Sequence, residues 1–224
     1  MNMELRAPHR AQKSKIEIVD CDFHPKITLE QLRPHLSDRW WEYLQTYGIR
    51  QRHAYAKGYP FPKAAPQAAR RDAWPPGGGL PASDLDFVRK QHLDFYGIGH
   101  AIMNPLSPSG LGEQNADFSA AMATAANEAQ VESWVAREPR LRASICVPYE
   151  DGDAARAEIK RCAGRPEFAQ VFMLSRTAEA LGRRRYWPIY EAAVEAGLPV
   201  GIHVFGYSGW AAPTRAGPRS TSRR

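Results

Sequence analysis

Short apolar segments alternate along the chain with longer segments of helical periodicity. The short segments are rich in aliphatic and β-branched residues, which is typical of strands covered on both faces. We predict five strands, at residues 16–24, 101–106, 142–149, 169–175 and 199–205. Strands that alternate with helices indicate an α/β protein with a parallel sheet rather than a β-sandwich or a helical bundle.

The segments between the strands carry start and stop signals for helices. Ser83 is placed to cap a helix, and Gly97 and Gly197 are placed to end helices. Phe118 and Met122 recur at helical spacing and predict the buried face of another helix. The predicted helices cover residues 28–47 with an interruption at Pro34, 84–96, 114–137, 153–162 and 188–196.

Three segments depart from this alternation and suggest the domain organisation. Residues 50–82 are rich in proline and glycine and are too long for a simple connection, so we predict an insertion there. Residues 1–14 and 207–224 are basic and lack hydrophobic periodicity, which predicts two tails. Residues 15–206 are then expected to form one domain.

The first strand ends in polar residues, in the stretch "IVDCDFHP" at 18–25. Because strand side chains alternate, one face is expected to carry Asp20, Asp22 and His24. The opposite face would then carry Val19, Cys21 and Phe23. The polar groups therefore share one side at the carboxyl end of the strand.

The last predicted strand, "PVGIHVF", offers a second histidine on its less aliphatic face. In a (β/α)8 barrel that face points inward, and functional residues gather at the carboxyl ends of the strands. A carboxylate of the first strand and the imidazoles of His24 and His203, brought together there, would suit a divalent ion, with zinc or another transition metal favoured over calcium. The alternative for each histidine is a hydrogen-bonded structural role, and Asp20 equally suits a structural role at the strand end.

Composition excludes several other classes. A chain of 224 residues that is 43% hydrophobic can bury a sizeable core. Its net charge of +6 is concentrated at both ends, so we expect no nucleic-acid partner. Without an apolar stretch of membrane-spanning length or a signal peptide, a cytoplasmic location is expected. Three scattered cysteines form no paired motif, which predicts buried thiols rather than disulfides.

The chain resembles the amidohydrolase-related metal-dependent hydrolases, in the branch of aminocarboxymuconate-semialdehyde decarboxylase and resorcylate-type decarboxylases. "IVDCDFHP" and "YWPIYEAAVEAGLPVGIHVFG" carry the resemblance, which covers roughly residues 15–207 in order and spacing. It implies a TIM barrel of which this chain holds about five of eight βα units. It also implies one metal ion, expected to be zinc with manganese or iron as alternatives, bound by Asp22, His24 and His203.

The resemblance leaves the reaction open. It implies either hydrolysis or decarboxylation of a small carboxylated or cyclic substrate, and a non-catalytic partial barrel that binds a partner is the third reading. Asp22 stands where much of the superfamily has the first histidine of His-x-His. Asn104, Tyr149 and Ser175 lie near the expected mouth of the barrel and are candidates for substrate binding, although each equally suits the start of a loop.

The family's remaining ligand and proton-transfer group would come from later strands, which this sequence does not reach. We therefore expect a truncated barrel that self-associates through its uncovered edges, as a homo-oligomer or an aggregate. Residues 216–224 can be back-translated in another frame to a segment more similar to the family's continuation. We predict from this that the tail is frameshifted.

Overall fold

Five parallel strands form one sheet in which sequence order equals spatial order. The computed structural model describes residues 17–49, 67 and 69–204, and the predicted tails and most of the insertion lie outside the described residues. The strands run in the order β1-β2-β3-β4-β5, with every neighbouring pair parallel. Their bounds are β1 Ile18–Phe23, β2 Ile98–Met103, β3 Leu141–Cys146, β4 Phe168–Leu174 and β5 Val200–His203.

Helices connect consecutive strands and cover the sheet. They are α1 Leu29–Leu32, α2 Asp38–Tyr47, α3 Leu85–Val88, α4 Asp94–Tyr96, α5 Ala116–Ser133, α6 Gly152–Cys162 and α7 Trp187–Ala196. A π-helical turn, Arg89–Leu93, joins α3 to α4. The alternation confirms the predicted fold class, a partial (β/α)8 barrel with five strands.

The helix ends follow the sequence signals with one exception. Gly97 and Gly197 end α4 and α7 in the left-handed conformation, at φ values of 65° and 67°. Pro34 lies in a 3-10 turn between α1 and α2, as its interruption of the helical pattern predicts. Ser83 does not cap the third helix; the carboxylate of Asp84 accepts from the first main-chain N–H groups instead.

Side-chain amides of α5 bond main-chain groups of β3 where the sheet has a gap between β2 and β3. β2 and β3 pair only between the later part of β2 and the start of β3, so the later main-chain groups of β3 lack a strand partner on that side. The Gln130 amide accepts from Ser144 N at 3.1 Å and donates to Ser144 O at 2.9 Å. Asn127 makes the same pair of bonds with Cys146, at 2.8 and 3.0 Å. The two amides therefore substitute for a strand edge.

The core lies between the sheet and its helices, and it is open at both ends of the sheet. Ala101, Ile145 and Val171 on the inner strands are fully buried, whereas Val19 and Ile202 on the edge strands are 53% and 49% exposed. The predicted burial of all three cysteines is wrong for Cys21, which is exposed. Cys146 and Cys162 are buried as predicted. No described helix is both long and apolar enough to span a bilayer.

Candidate metal centre

The end of β1 departs from regular alternation because it contains a bulge. Asp20 lies opposite Ala101 and Phe23 lies opposite Met103, so β1 has one residue more than β2 over this span. Asp20 and Phe23 both contact the ring of His92, so the bulge places their side chains on the same side of the strand. The prediction that Asp20 shares a face with Asp22 is therefore wrong.

Asp20 instead forms a pair with His92 from the π-helical turn. His92 Nε2 donates to Asp20 Oδ2 at 2.8 Å, and the Phe23 ring stacks on the same imidazole. This hydrogen bond is the main cause that lowers the pKa of Asp20 below its ordinary value of 3.8. Asp20 Oδ1 also accepts from the main-chain N–H of Asp22 at 2.9 Å. Asp20 thus contacts the main chain of a candidate ligand, not the cluster itself.

The structure brings Asp22, His24 and His203 together at the carboxyl ends of β1 and β5. One ligand atom from each residue lies within 4.8 Å of the others. Asp22 Oδ1 is 3.5 Å from Nε2 of His24 and 3.5 Å from Nε2 of His203. The two imidazoles meet edge to face, with ring centroids 4.8 Å apart.

Hydrogen bonding fixes the tautomer of His24. Its Nδ1 lies 2.8 Å from the main-chain oxygen of Asn104, which only accepts, so Nδ1 must carry the proton. In the neutral ring, Nε2 is then the unprotonated nitrogen, and it faces Asp22. This is the arrangement that protein sites use to present a histidine to a metal ion.

His203 is the more enclosed of the two histidines. Its side chain is 16% exposed against 38% for His24, and the ring of Phe172 packs edge-on against it. Burial, followed by the neighbouring His24, lowers the pKa of His203 below its ordinary 6.5. His203 is therefore neutral at pH 7, as a ligand must be.

The donor set fits a divalent transition ion. Two atoms bound at ~2.1 Å to one ion lie roughly 3.0 to 3.5 Å apart, which matches the two 3.5 Å separations from Asp22 Oδ1. One carboxylate and two imidazoles suit zinc or manganese better than calcium. The Asp22 side chain is 61% exposed, so the cluster is open to solvent on its side.

Hydrogen-bonded polar side chains from the neighbouring strands support this cluster. Asn104 is 4% exposed, and its Nδ2 donates to Asp22 Oδ1 at 3.0 Å. Its Oδ1 accepts from Ser144 on β3 at 3.1 Å and from Gln170 on β4 at 2.8 Å. Ser144 and Gln170 are not among the residues predicted from sequence, although each is a polar residue between apolar neighbours in its strand, a signal that could have found them.

The three residues predicted to touch substrate lie in different surroundings. Asn104 contacts the ligands themselves, as described above. Tyr149 is 1% exposed, and its hydroxyl donates to the main-chain oxygen of Arg176 at 3.1 Å. Ser175 directly follows β4 and is half-buried, and its main-chain N–H donates to His203 O at 2.9 Å. Substrate contact by Tyr149 and Ser175 stays a prediction.

Comparison with known proteins gives a family and a set of similar folds. The family model described as Amidohydrolase (amidohydrolase 2) matches residues 19–216. No curated protein matches the chain. Similar solved structures include 2,6-dihydroxybenzoate decarboxylase from Rhizobium, with a TM-score of 0.54 and 19% identity over 84% of this chain and 49% of that one.

Two further similar structures contain manganese. The 5-carboxyvanillate decarboxylase of Novosphingobium aromaticivorans has a TM-score of 0.53 and 23% identity over 83% of this chain and 49% of its own. The dihydroxybenzoic acid decarboxylase of Polaromonas sp. JS666, which also holds 2-nitroresorcinol, has a TM-score of 0.51 and 18% identity over 83% and 48%. This chain therefore spans about half the length of these structures.

The family match covers most of the chain and includes both strands that supply the cluster. The solved structures share the partial barrel, and their sequence identities to this chain are low enough that the similarity shows the fold alone. The chain belongs to the amidohydrolase family.

Proposed function

We propose that the chain forms the metal-binding part of a metal-dependent decarboxylase for a small aromatic carboxylate. The observation that carries this proposal is the convergence of Asp22, His24 and His203 within 4.8 Å. The similar structures named above are decarboxylases of dihydroxybenzoates and carboxyvanillate, and two of them hold manganese, which supports this reaction class.

The residues of the cluster suit that chemistry. A divalent ion held there would polarise and orient a substrate carboxylate or carbonyl. His24 presents an unprotonated Nε2, and the low pKa of His203 keeps its ring neutral. The exposed Asp22 side leaves room for a substrate to approach, whereas Phe172 shields His203 on the other side.

Hydrolysis is the alternative reaction, and the description of the matching family favours it. The same donor set would then serve to activate water against an ester, lactone or amide. Because the chain spans about half of the similar structures, groups that decide between the reactions can lie in the part that those structures have in addition. A partial barrel that binds without turnover is the remaining reading.

Metal content tests the site directly. The purified 224-residue chain is dialysed against Mn²⁺ or Zn²⁺. The metal bound per chain is then measured by inductively coupled plasma mass spectrometry. We expect about one ion per chain in the wild type, a large loss in His203→Ala, and no change in His100→Ala, which alters a histidine of β2 outside the cluster. Equal metal in the wild type and His203→Ala would refute the assignment of the cluster.

Product analysis tests the reaction class. The Mn²⁺-loaded chain is incubated with carboxyl-labelled 2,6-dihydroxybenzoate and 5-carboxyvanillate, and separately with simple esters and lactones. Release of labelled carbon dioxide that His203→Ala abolishes would support decarboxylation. Hydrolysis products alone would favour the alternative reaction, and stoichiometric metal without either product would favour the non-catalytic reading.

A further inference from the structure

Asn104 is the most fully hydrogen-bonded polar residue beside the candidate metal centre. It follows β2 directly and is 4% exposed. Its side-chain Nδ2 donates to Cys21 O and to Asp22 Oδ1, both at 3.0 Å. Its main-chain N–H donates to Phe23 O at 2.7 Å, and its main-chain oxygen accepts from His24 Nδ1 at 2.8 Å. The residue that follows β2 thus contacts four consecutive residues at the end of β1, from Cys21 to His24.

The orientation of the Asn104 amide is determined by its neighbours. Oδ1 accepts from Ser144 Oγ and Gln170 Nε2, while Nδ2 faces a carbonyl and a carboxylate. A flipped amide would set its NH₂ against the NH₂ of Gln170 and its oxygen against two acceptors. All four hydrogen-bonding positions of the amide are therefore used in one orientation.

This orientation acts on both ligands of β1. The amide holds the Asp22 carboxylate by its Oδ1, the oxygen that lies 3.5 Å from both imidazoles. The main-chain carbonyl holds His24 in the tautomer with an unprotonated Nε2. The bulge in β1 leaves that strand irregular here, so contacts from β2 are needed to fix the two side chains.

We propose that Asn104 is the positioning residue of the metal centre, because it orients the carboxylate of Asp22 and the imidazole of His24 before an ion binds. Ser144 and Gln170 act through it by fixing the amide. This inference rests on the proposed function in so far as the cluster binds an ion, but the preorganisation itself exists without metal. Outer contacts of this kind commonly contribute 10- to 100-fold in metal affinity.

Histidine NMR of the metal-free chain tests the preorganisation alone. Long-range proton–nitrogen spectra of ¹⁵N-histidine-labelled protein report which ring nitrogen of His24 is protonated. We expect the Nδ1-protonated form in the wild type and also in Asn104→Ala, because the main-chain carbonyl that accepts from Nδ1 remains in that variant. An Nε2-protonated His24 in the wild type would overturn the inference.

Manganese affinity tests the consequence, by electron paramagnetic resonance titration of the full chain. We expect Asn104→Ala to weaken Mn²⁺ binding about 10- to 100-fold and to change the line shape of the bound ion. Ser144→Ala removes one hydrogen bond to the Asn104 amide and should give a smaller loss of Mn²⁺ affinity. This variant replaces Asn104→Ala in the test if Asn104→Ala does not fold. The matched control is Asn127→Ala, an equally buried asparagine that bonds Cys146 instead of the ligands.

Thermal unfolding of the metal-free variants separates positioning from stability. Asn127→Ala should lower the melting temperature while leaving Mn²⁺ affinity within about twofold of the wild type. Equal losses of affinity in Asn104→Ala and Asn127→Ala, or wild-type affinity in a folded Asn104→Ala, would overturn the inference. A wild type that binds no Mn²⁺ but shows the expected His24 tautomer would refute the proposed function and leave the preorganisation supported.

Discussion

Gly201 of β5 lies where a larger residue would displace the support of the metal centre. A Cβ atom at this position would lie 2.5 Å from Oε1 of Gln170. The Gln170 side chain cannot move away freely, because its Nε2 donates to Asn104 Oδ1 at 2.8 Å and to Ser144 Oγ at 2.9 Å. The glycine beside His203 therefore makes space for a glutamine that the sequence places on a different strand.

We expect Gly201→Ala to lower the free energy of unfolding by about 1–3 kcal/mol, the usual cost of overpacking a filled interior. The same change should cost much less in a Gln170→Ala background, because the obstructing amide is absent. Urea unfolding of the four proteins of this cycle measures both costs. An equal loss of stability on Gly201→Ala in both backgrounds would contradict a clash between position 201 and Gln170.

At the scale of elements, α5 and β3 depend on each other through buried amides. Gln130 and Asn127 are fully buried, and each satisfies both main-chain groups of a β3 residue where β2 has diverged. Unpaired main-chain groups in such a position are costly, which explains why polar residues occupy the buried face of a helix.

Gln130→Leu should lower the free energy of unfolding by about 2–4 kcal/mol, since it leaves the N–H and C=O of Ser144 without these bonds. Met122→Leu, a volume-conserving change at a buried position of the same helix, should cost less than about 1.5 kcal/mol. Urea unfolding compares the two variants, and similar small costs for both would argue against the amide pairing.

Glu138 links the π-helical turn to the start of β3. Its carboxylate accepts from Arg140 Nε at 2.8 Å and from Arg89 Nε at 2.9 Å, and its side chain is 5% exposed. The Arg140 hydrogen bond is the largest cause that lowers the pKa of Glu138 from 4.5 to about 2. The charged carboxylate therefore stabilises the folded state at neutral pH.

The lowered pKa predicts a dependence of stability on pH. The contribution of Glu138 is complete above its unfolded pKa of 4.5 and is lost as pH falls towards its folded pKa of about 2. The full loss corresponds to roughly 3 kcal/mol. Unfolding of wild type and Glu138→Gln is compared between pH 7 and pH 2. The stability difference should be large at pH 7 and shrink at low pH, and a constant difference would contradict the pKa.

At the scale of the whole molecule, the sheet of the described residues ends at two edges, β1 and β5. Among the described residues, β1 pairs only with β2 and β5 only with β4. Val19 on β1 and Val204 directly after β5 are 53% and 74% exposed. Aliphatic side chains beside unpaired strand edges favour association between chains.

We therefore expect the isolated chain to associate with increasing concentration, and the variant Val19→Lys with Val204→Lys to associate less. Sedimentation velocity over a range of concentrations measures this. The control is Phe95→Lys, which removes an apolar residue that is 73% exposed on α4 rather than on an edge. A monodisperse wild-type monomer, or equal relief by Phe95→Lys, would contradict association through the edges.

The sequence by itself determined the elements and the type of site. Aliphatic runs predict the five strands because burial on both faces requires them, and stop signals such as Gly97 and Gly197 require a left-handed conformation that glycine adopts readily. The spacing of Asp22 and His24 at a strand end, with His203 on a later strand, indicated candidate ligands because carboxyl ends of parallel strands meet at one face.

The tertiary structure decided which polar groups meet. Strict alternation assigns Asp20 to the face of Asp22, but the bulge against β2 turns it towards His92, and a bulge depends on the register between strands rather than on local pattern. Asn104, Ser144 and Gln170 form one network only because three strands stand side by side. Local sequence specifies the faces of each element, whereas contacts between distant residues follow from how the elements pack.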